Sequence, residues 1–135
     1  MRPLIISFII ALLFSSCNEE DGQLENRFEE GTYRGTFIRN WPSGQSNTAT
    51  ITMTFEDNKW SGSSNIPKFP ALCRGTYSIT GNKITFQNEC PWTAEFDWSL
   101  ILSGEFTLEK SGKELEFSNY NRSATFTDHY KLIKE

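Results

Sequence analysis

Histidine is nearly absent from this sequence: His129 is the only one, beside three cysteines. That supply argues against a zinc site. A Ser-His-Asp nucleophile would have to use His129, and no GxSxG turn presents a serine. No phosphate loop occurs, because Ser111-Gly112-Lys113 lacks the upstream glycine spacing and a following helix. Glu95 and Asp97 sit in an alternating run and read as a solvated face rather than a converging acid/base pair. No enzyme activity, metal or cofactor is expected. Positive charge is scarce as well, with a net charge of −4. Residues 31–135 are neutral, with eleven acidic residues against eleven Lys and Arg. A neutral domain gives no electrostatic footprint for nucleic acid. Long apolar runs are missing beyond Phe14, and no stretch after residue 30 keeps an apolar face at helical spacing.

What the chain does have is alternation, clearest in residues 73–90, CRGTYSITGNKITFQNEC. Folded about Gly81-Asn82, this stretch pairs Ile79 with Ile84, Tyr77 with Phe86, Arg74 with Glu89, and Cys73 with Cys90. Glycine at the first central position suits a type II′ hairpin turn. Asn88 is the one polar residue on the otherwise apolar face. Cys73 and Cys90 fall on a non-hydrogen-bonded pair, close enough for a disulfide. The alternative is two buried free thiols; export of the chain would favour the bridge.

The N-terminus has the flanks of an export signal. Arg2 precedes the apolar run 4–14, which is too short to span a bilayer as a mature helix. Phe14-Ser15-Ser16-Cys17 resembles the bacterial lipobox, in which small residues precede a cysteine that is acylated and becomes the new N-terminus. That resemblance implies a signal peptide over residues 1–16 and palmitate-type acylation at Cys17. The alternative is a plain secretory signal cleaved near Ser16. Removing Cys17 to lipid leaves an even pair of cysteines. Residues 17–30 read as a lipidated tether; six acidic residues face one arginine there, and Leu24 and Phe28 are its only sizeable apolar residues, so no core can form there, the alternative being a helix docked on the domain through those two. An acidic run behind the cysteine resembles the surface-export signals of Bacteroidota lipoproteins. It implies an outer-membrane location, on the periplasmic or the cell-surface face.

Residues 31–135 read as one all-β domain of eight strands. The strands are expected at 32–39, 48–56, 59–63, 73–80, 83–90, 100–109, 113–119 and 123–133. Asp57-Asn58, Gly81-Asn82 and Ser111-Gly112 are the tight turns. The last of these would pair Leu108 with Leu115 and Phe106 with Phe117. Asp128 breaks the inward set of the eighth strand, so a bulge or a rim position is expected there. Eight antiparallel strands with one apolar face close most economically into an up-and-down barrel, with a two-sheet sandwich as the alternative. Gly31-Thr32-Tyr33-Arg34-Gly35-Thr36-Phe37 resembles the opening strand of lipocalin-like (calycin-like) domains. Leu100-Ile101-Leu102-Ser103-Gly104-Glu105-Phe106 resembles their later strands. The resemblance implies a ligand-carrying barrel over residues 31–135.

Loop lengths give that barrel a direction. The tight turns share one end, and the long connections 40–47, 64–72 and 91–99 share the other. The long loops carry Trp41, Phe69, Trp92, Phe96 and Trp98. One expectation is a small apolar or amphipathic ligand held at this aromatic rim, with an internal cavity lined by Tyr33, Trp60, Tyr77 and Phe86. The other is a solid barrel whose loops dock a protein or glycan. The loop aromatics would then serve as plugs and docking groups. The inward glycines Gly35, Gly62, Gly75 and Gly104 read as bends rather than as ligand space. Apart from the lipid anchor, no partner is identifiable from the sequence.

Overall fold

The computed structural model describes residues 28–93, 95–121 and 125–135. The expected lipobox, Cys17 and most of the tether lie outside them. Eight strands follow in chain order: β1 (Gly31–Asn40), β2 (Ser46–Glu56), β3 (Lys59–Ser64), β4 (Arg74–Thr80), β5 (Lys83–Asn88), β6 (Gly104–Ser111), β7 (Glu114–Asn121) and β8 (Phe126–Lys134). Each pairs antiparallel with the next, and β1 pairs with β8, closing an up-and-down barrel. Closure removes every open sheet edge.

Turn chemistry explains most of the register. Asp57 and Asn58 both take positive φ, 50° and 61°, as a type I′ hairpin requires. That turn sets Phe55 against Trp60 and Glu56 against Lys59, as expected. Gly81 at φ 58° opens the next tight turn and sets Tyr77 against Phe86. The third turn differs from the expectation. It consists of Gly112-Lys113, not Ser111-Gly112, so Ser111 faces Glu114 and Leu108 faces Phe117. Gly112, at φ 58°, fills the first central position, which only glycine occupies without strain. The two-residue slip keeps every side chain on its expected face.

The sixth strand also begins later than expected. Residues Trp98–Leu100 form a 3₁₀ turn, and Ile101 then bridges Ala71 in parallel. Gly104, at φ 91°, ends this crossing and starts β6. The segment thus lies across the open end. Ala71 and Leu102 are fully buried beneath it, and the Phe69 ring packs 5.1 Å from Phe37.

The interior is filled with rings. Phe117 stacks on Tyr130 at 4.5 Å, Phe86 meets Phe117 at 5.0 Å, and Phe55 meets Tyr77 edge-on at 5.2 Å. Each such pair adds about 0.5–1.5 kcal/mol beyond its buried area. Phe28, at the end of the expected tether, caps the turn end by packing on Phe55 at 5.0 Å and Tyr77 at 5.4 Å. Beside it, Lys134 Nζ lies 3.1 Å from a Glu29 carboxylate oxygen, so the segment entering β1 and the end of β8 meet here.

Cys73 and Cys90 are joined, with Cα atoms 6.3 Å apart and a sequence separation of 17. Replacing both by serine is expected to lower stability by about 3 kcal/mol in the chain-entropy account. Urea unfolding followed by tryptophan fluorescence would measure this. A loss below about 1 kcal/mol would mean that the bridge constrains little in the unfolded chain.

Candidate functional site

Inward parity runs along β1 through Tyr33, Gly35 and Phe37 to Arg39. Along β8 it runs back from Leu132 and Tyr130 to Asp128. The closing register sets Arg39 against Asp128, and the next ladder sets Asp128 against Asn119. Three polar inward residues therefore form one row near the open end. Asp128 is not bulged out of the wall; it stays inside because Arg39 meets it.

The contact is a two-pronged fork. Arg39 Nε donates to Asp128 Oδ1, and Arg39 Nη2 donates to Oδ2, both at 2.7 Å. Arg39 is 1% exposed, and its guanidinium lies 3.7 Å over the Phe126 ring. Its remaining donors reach the crossing segment. Nη1 donates to Ser99 Oγ at 3.0 Å and Asp97 Oδ2 at 3.2 Å, and Nη2 donates to the Ser99 carbonyl at 3.1 Å. Burial pushes the Asp128 carboxyl above the usual carboxylate range, and the Arg39 fork opposes that shift. Arg39 thus ties the barrel wall to the 3₁₀ turn.

Asp97 caps that turn. Its carboxyl is held below the usual range, first by the Ser99 hydroxyl at 2.6 Å, with the Ser99 N–H and Arg39 adding to the effect. A lowered value means that the cap is fully formed above the ordinary value of 3.8 and is lost as pH falls through the lowered one. Trp98 fluorescence is therefore expected to be flat near neutral pH and to change below about pH 4. A fluorescence change centred near neutral pH would contradict this assignment.

Asn88, the polar residue on the cysteine hairpin's apolar face, organises the neighbouring loop. Its Nδ2 donates to the Cys90 carbonyl at 2.7 Å. Its Oδ1 accepts from Trp92 Nε1 at 3.2 Å and from the Cys90 N–H at 3.3 Å. The Trp92 ring then rests 5.6 Å from Phe96, and Lys68 Nζ lies 5.0 Å over Phe96.

A cleft opens between these elements. The β6–β7 ladder ends at Thr107 and Ser118, whereas the β7–β8 ladder continues to Asn121 and Phe126. The strands part at the open end and leave a cleft of about 420 Å³. Trp98, Ile101, Phe106, Phe126 and Tyr130 form its apolar walls. Asn88, Ser99, Ser103, Asn119 and Asp128 supply its polar groups. A larger groove of about 630 Å³ runs over the outer wall, past exposed Glu109, Glu114 and Lys131, and is remote from this row.

Of the residues expected at a ligand site, only Trp98 lines the cleft. Tyr33, Trp60, Tyr77 and Phe86 belong to the packed core and lie 1–7% exposed. Burial pushes the Tyr33 phenol up to about 12, and its hydroxyl donates to the Glu29 carbonyl at 2.5 Å. Trp60 Nε1 donates to the Gln87 carbonyl at 3.2 Å. Trp41 and Trp92 are half-buried in their loops. Trp98 is 56% exposed, and its Nε1 donates to the Thr93 carbonyl at 3.1 Å. Sequence reasoning missed Arg39, Asn119, Phe106 and Phe126 as site residues. The parity of β1 carried a signal for Arg39, the only charged residue on its inward face. No family model, no curated protein and no solved structure matches this chain.

Proposed function

We propose that this chain is a lipid-anchored, non-enzymatic binding protein of lipocalin-like design, which takes a small amphipathic molecule in the cleft at its open end. The observation that carries this reading is the parting of β6 and β7, which joins an aromatic wall to a polar row in one concavity. Concave sites of this mixed character are the usual setting for small ligands. The ligand seat moves from the barrel axis to the cleft, because the axis is filled with rings. Anchoring rests on the lipobox resemblance at Cys17. With Phe28 at the turn end, an anchored barrel would present the cleft away from the outer membrane. Cys17→Ser is then expected to shift the protein from the membrane fraction to the soluble fraction.

Native mass spectrometry of the full-length protein tests binding. An adduct is expected in natively purified protein and absent after unfolding and refolding, with less of it in Trp98→Ala. If no adduct forms, the favoured reading becomes a docking module for a protein partner. The filled interior and the exposure of Ile66, Trp98 and Tyr120 on loops and strand ends at the open end support that second reading.

A further inference from the structure

We infer that the open-end cleft selects neutral, polyhydroxylated molecules: a small sugar, or the terminal residue of a glycan, stacked on Trp98. This rests on the binding reading above and narrows its ligand class. The first argument is charge. Among the described residues, Asp128 is the only charged side chain lining the cleft, and Arg39 holds both of its oxygens at 2.7 Å. The Arg39 donors are in turn committed to Ser99 and Asp97. Among the described residues the cleft thus presents no unbalanced charge, and a charged ligand gains no counter-ion from them. An anion would also meet the Asp128 carboxylate.

The second argument is the pattern of free hydrogen-bonding groups. Asn88 and Ser99 are occupied by protein partners. Asn119 and Ser103 have no side-chain hydrogen-bond partner among the described residues, yet both line the cleft. An amide and a hydroxyl offer donors and acceptors side by side. A wholly apolar ligand would strip water from both groups and return nothing, which costs affinity. A polyol returns a hydroxyl to each.

The third argument is the indole. Trp98 is half exposed beside these groups, with its ring held by the bond from Nε1 to the Thr93 carbonyl at 3.1 Å. A ring already held in place loses little freedom when a ligand stacks on it. The C–H face of a pyranose suits such a surface, while its rim hydroxyls reach polar neighbours. Aromatic walls with unpaired amide and hydroxyl groups and no net charge together describe a sugar seat better than a fatty-acid or nucleotide seat.

The test uses full-length protein in a detergent without a sugar headgroup. Saturation-transfer NMR and Trp98 fluorescence would be recorded with galactose, mannose, N-acetylglucosamine, maltose and cellobiose. Hexanol and decanol serve as amphipaths that are not sugars. Saturable binding of at least one sugar is expected, weakened about tenfold in Trp98→Ala and in Asn119→Leu, with thermal unfolding unchanged. Binding of the alcohols without any sugar would overturn the sugar assignment and leave the cleft reading standing. Binding of neither class would overturn both. Sugar binding that survives both substitutions would place the sugar elsewhere and overturn the inference.

Discussion

Gly35→Ala is expected to cost the barrel about 4 kcal/mol or more, enough to unfold a domain of this size or leave it barely folded. Gly35 lies on the closing seam, paired with Ile51 on one side and Leu132 on the other. A methyl group there would overlap the Lys131 carbonyl oxygen and lie 2.9 Å from Leu132 Cα. These neighbours are backbone, so no rotamer change can relieve the clash. The seam would have to part, and the buried row at Arg39 lies on the same seam. Gly75→Ala should act alike at the β4–β5 ladder, where the added carbon would overlap the Gln87 carbonyl and lie 2.9 Å from Trp60 Nε1. Gly62→Ala is the milder control. Its nearest neighbours, Thr52 O, Leu72 Cδ1 and Met53 Cγ, are 3.1–3.2 Å away, so a shift of only a few tenths of an ångström would admit the methyl group. Urea unfolding curves for the three variants would rank them. A Gly35→Ala loss below about 1 kcal/mol would show that β1 and β8 are not joined as described.

Asp128→Ala is expected to cost about 3–5 kcal/mol, because it strips the buried Arg39 guanidinium of its two-pronged partner and leaves only the exposed Asp97, at 3.2 Å, to balance it. The loss reflects the stranded charge more than the net worth of the pair. Replacing both partners, Arg39→Met with Asp128→Leu, should therefore recover most of it, as apolar side chains of similar size often substitute for a buried pair. The double-mutant cycle isolates the coupling, and a strongly favourable value is expected between two residues in direct contact. The two single variants differ in one further respect. Arg39→Met also removes the donors that hold Ser99 and Asp97, so it should loosen the Trp98 turn, whereas Asp128→Ala keeps those donors. Near-wild-type stability in Asp128→Ala would mean that water reaches Arg39 and that the row is not buried.

Most of the wall was legible because its determinants are local. Asp57-Asn58 and Gly81-Asn82 fix their hairpins within a few residues, and parity then carries the register outward. The cysteine hairpin formed with every pairing that its sequence suggested. The β6–β7 slip was readable too: glycine leads the turn at Gly81, and the same rule applied at Gly112 selects Gly112-Lys113. The candidate site was less legible, because its determinants are distant in sequence. Arg39 and Asp128 are 89 residues apart; Asp128 alone stood out as a misfit, and only closure of the barrel supplied its partner. The segment through Trp98 alternates like a strand, yet it turns at Asp97 and crosses to Ala71, a contact that no local pattern encodes. The ligand expectation for Tyr33, Trp60, Tyr77 and Phe86 identified inward rings correctly. It could not tell a lined cavity from a filled one, because that depends on how ten or so rings share one volume.

The meeting of Glu29 and Lys134 at the turn end also sets how the barrel responds to force. β1 and β8 are antiparallel neighbours, with the start of one beside the end of the other. Tension drawn between Glu29 and Lys134 would load their ladder from that end, one hydrogen bond at a time, so the seam would peel instead of shearing. Tension applied through Glu29 and the open end would run along the strands and load whole ladders together. The same barrel would be weak when pulled between Glu29 and Lys134 and strong when pulled between Glu29 and its open end.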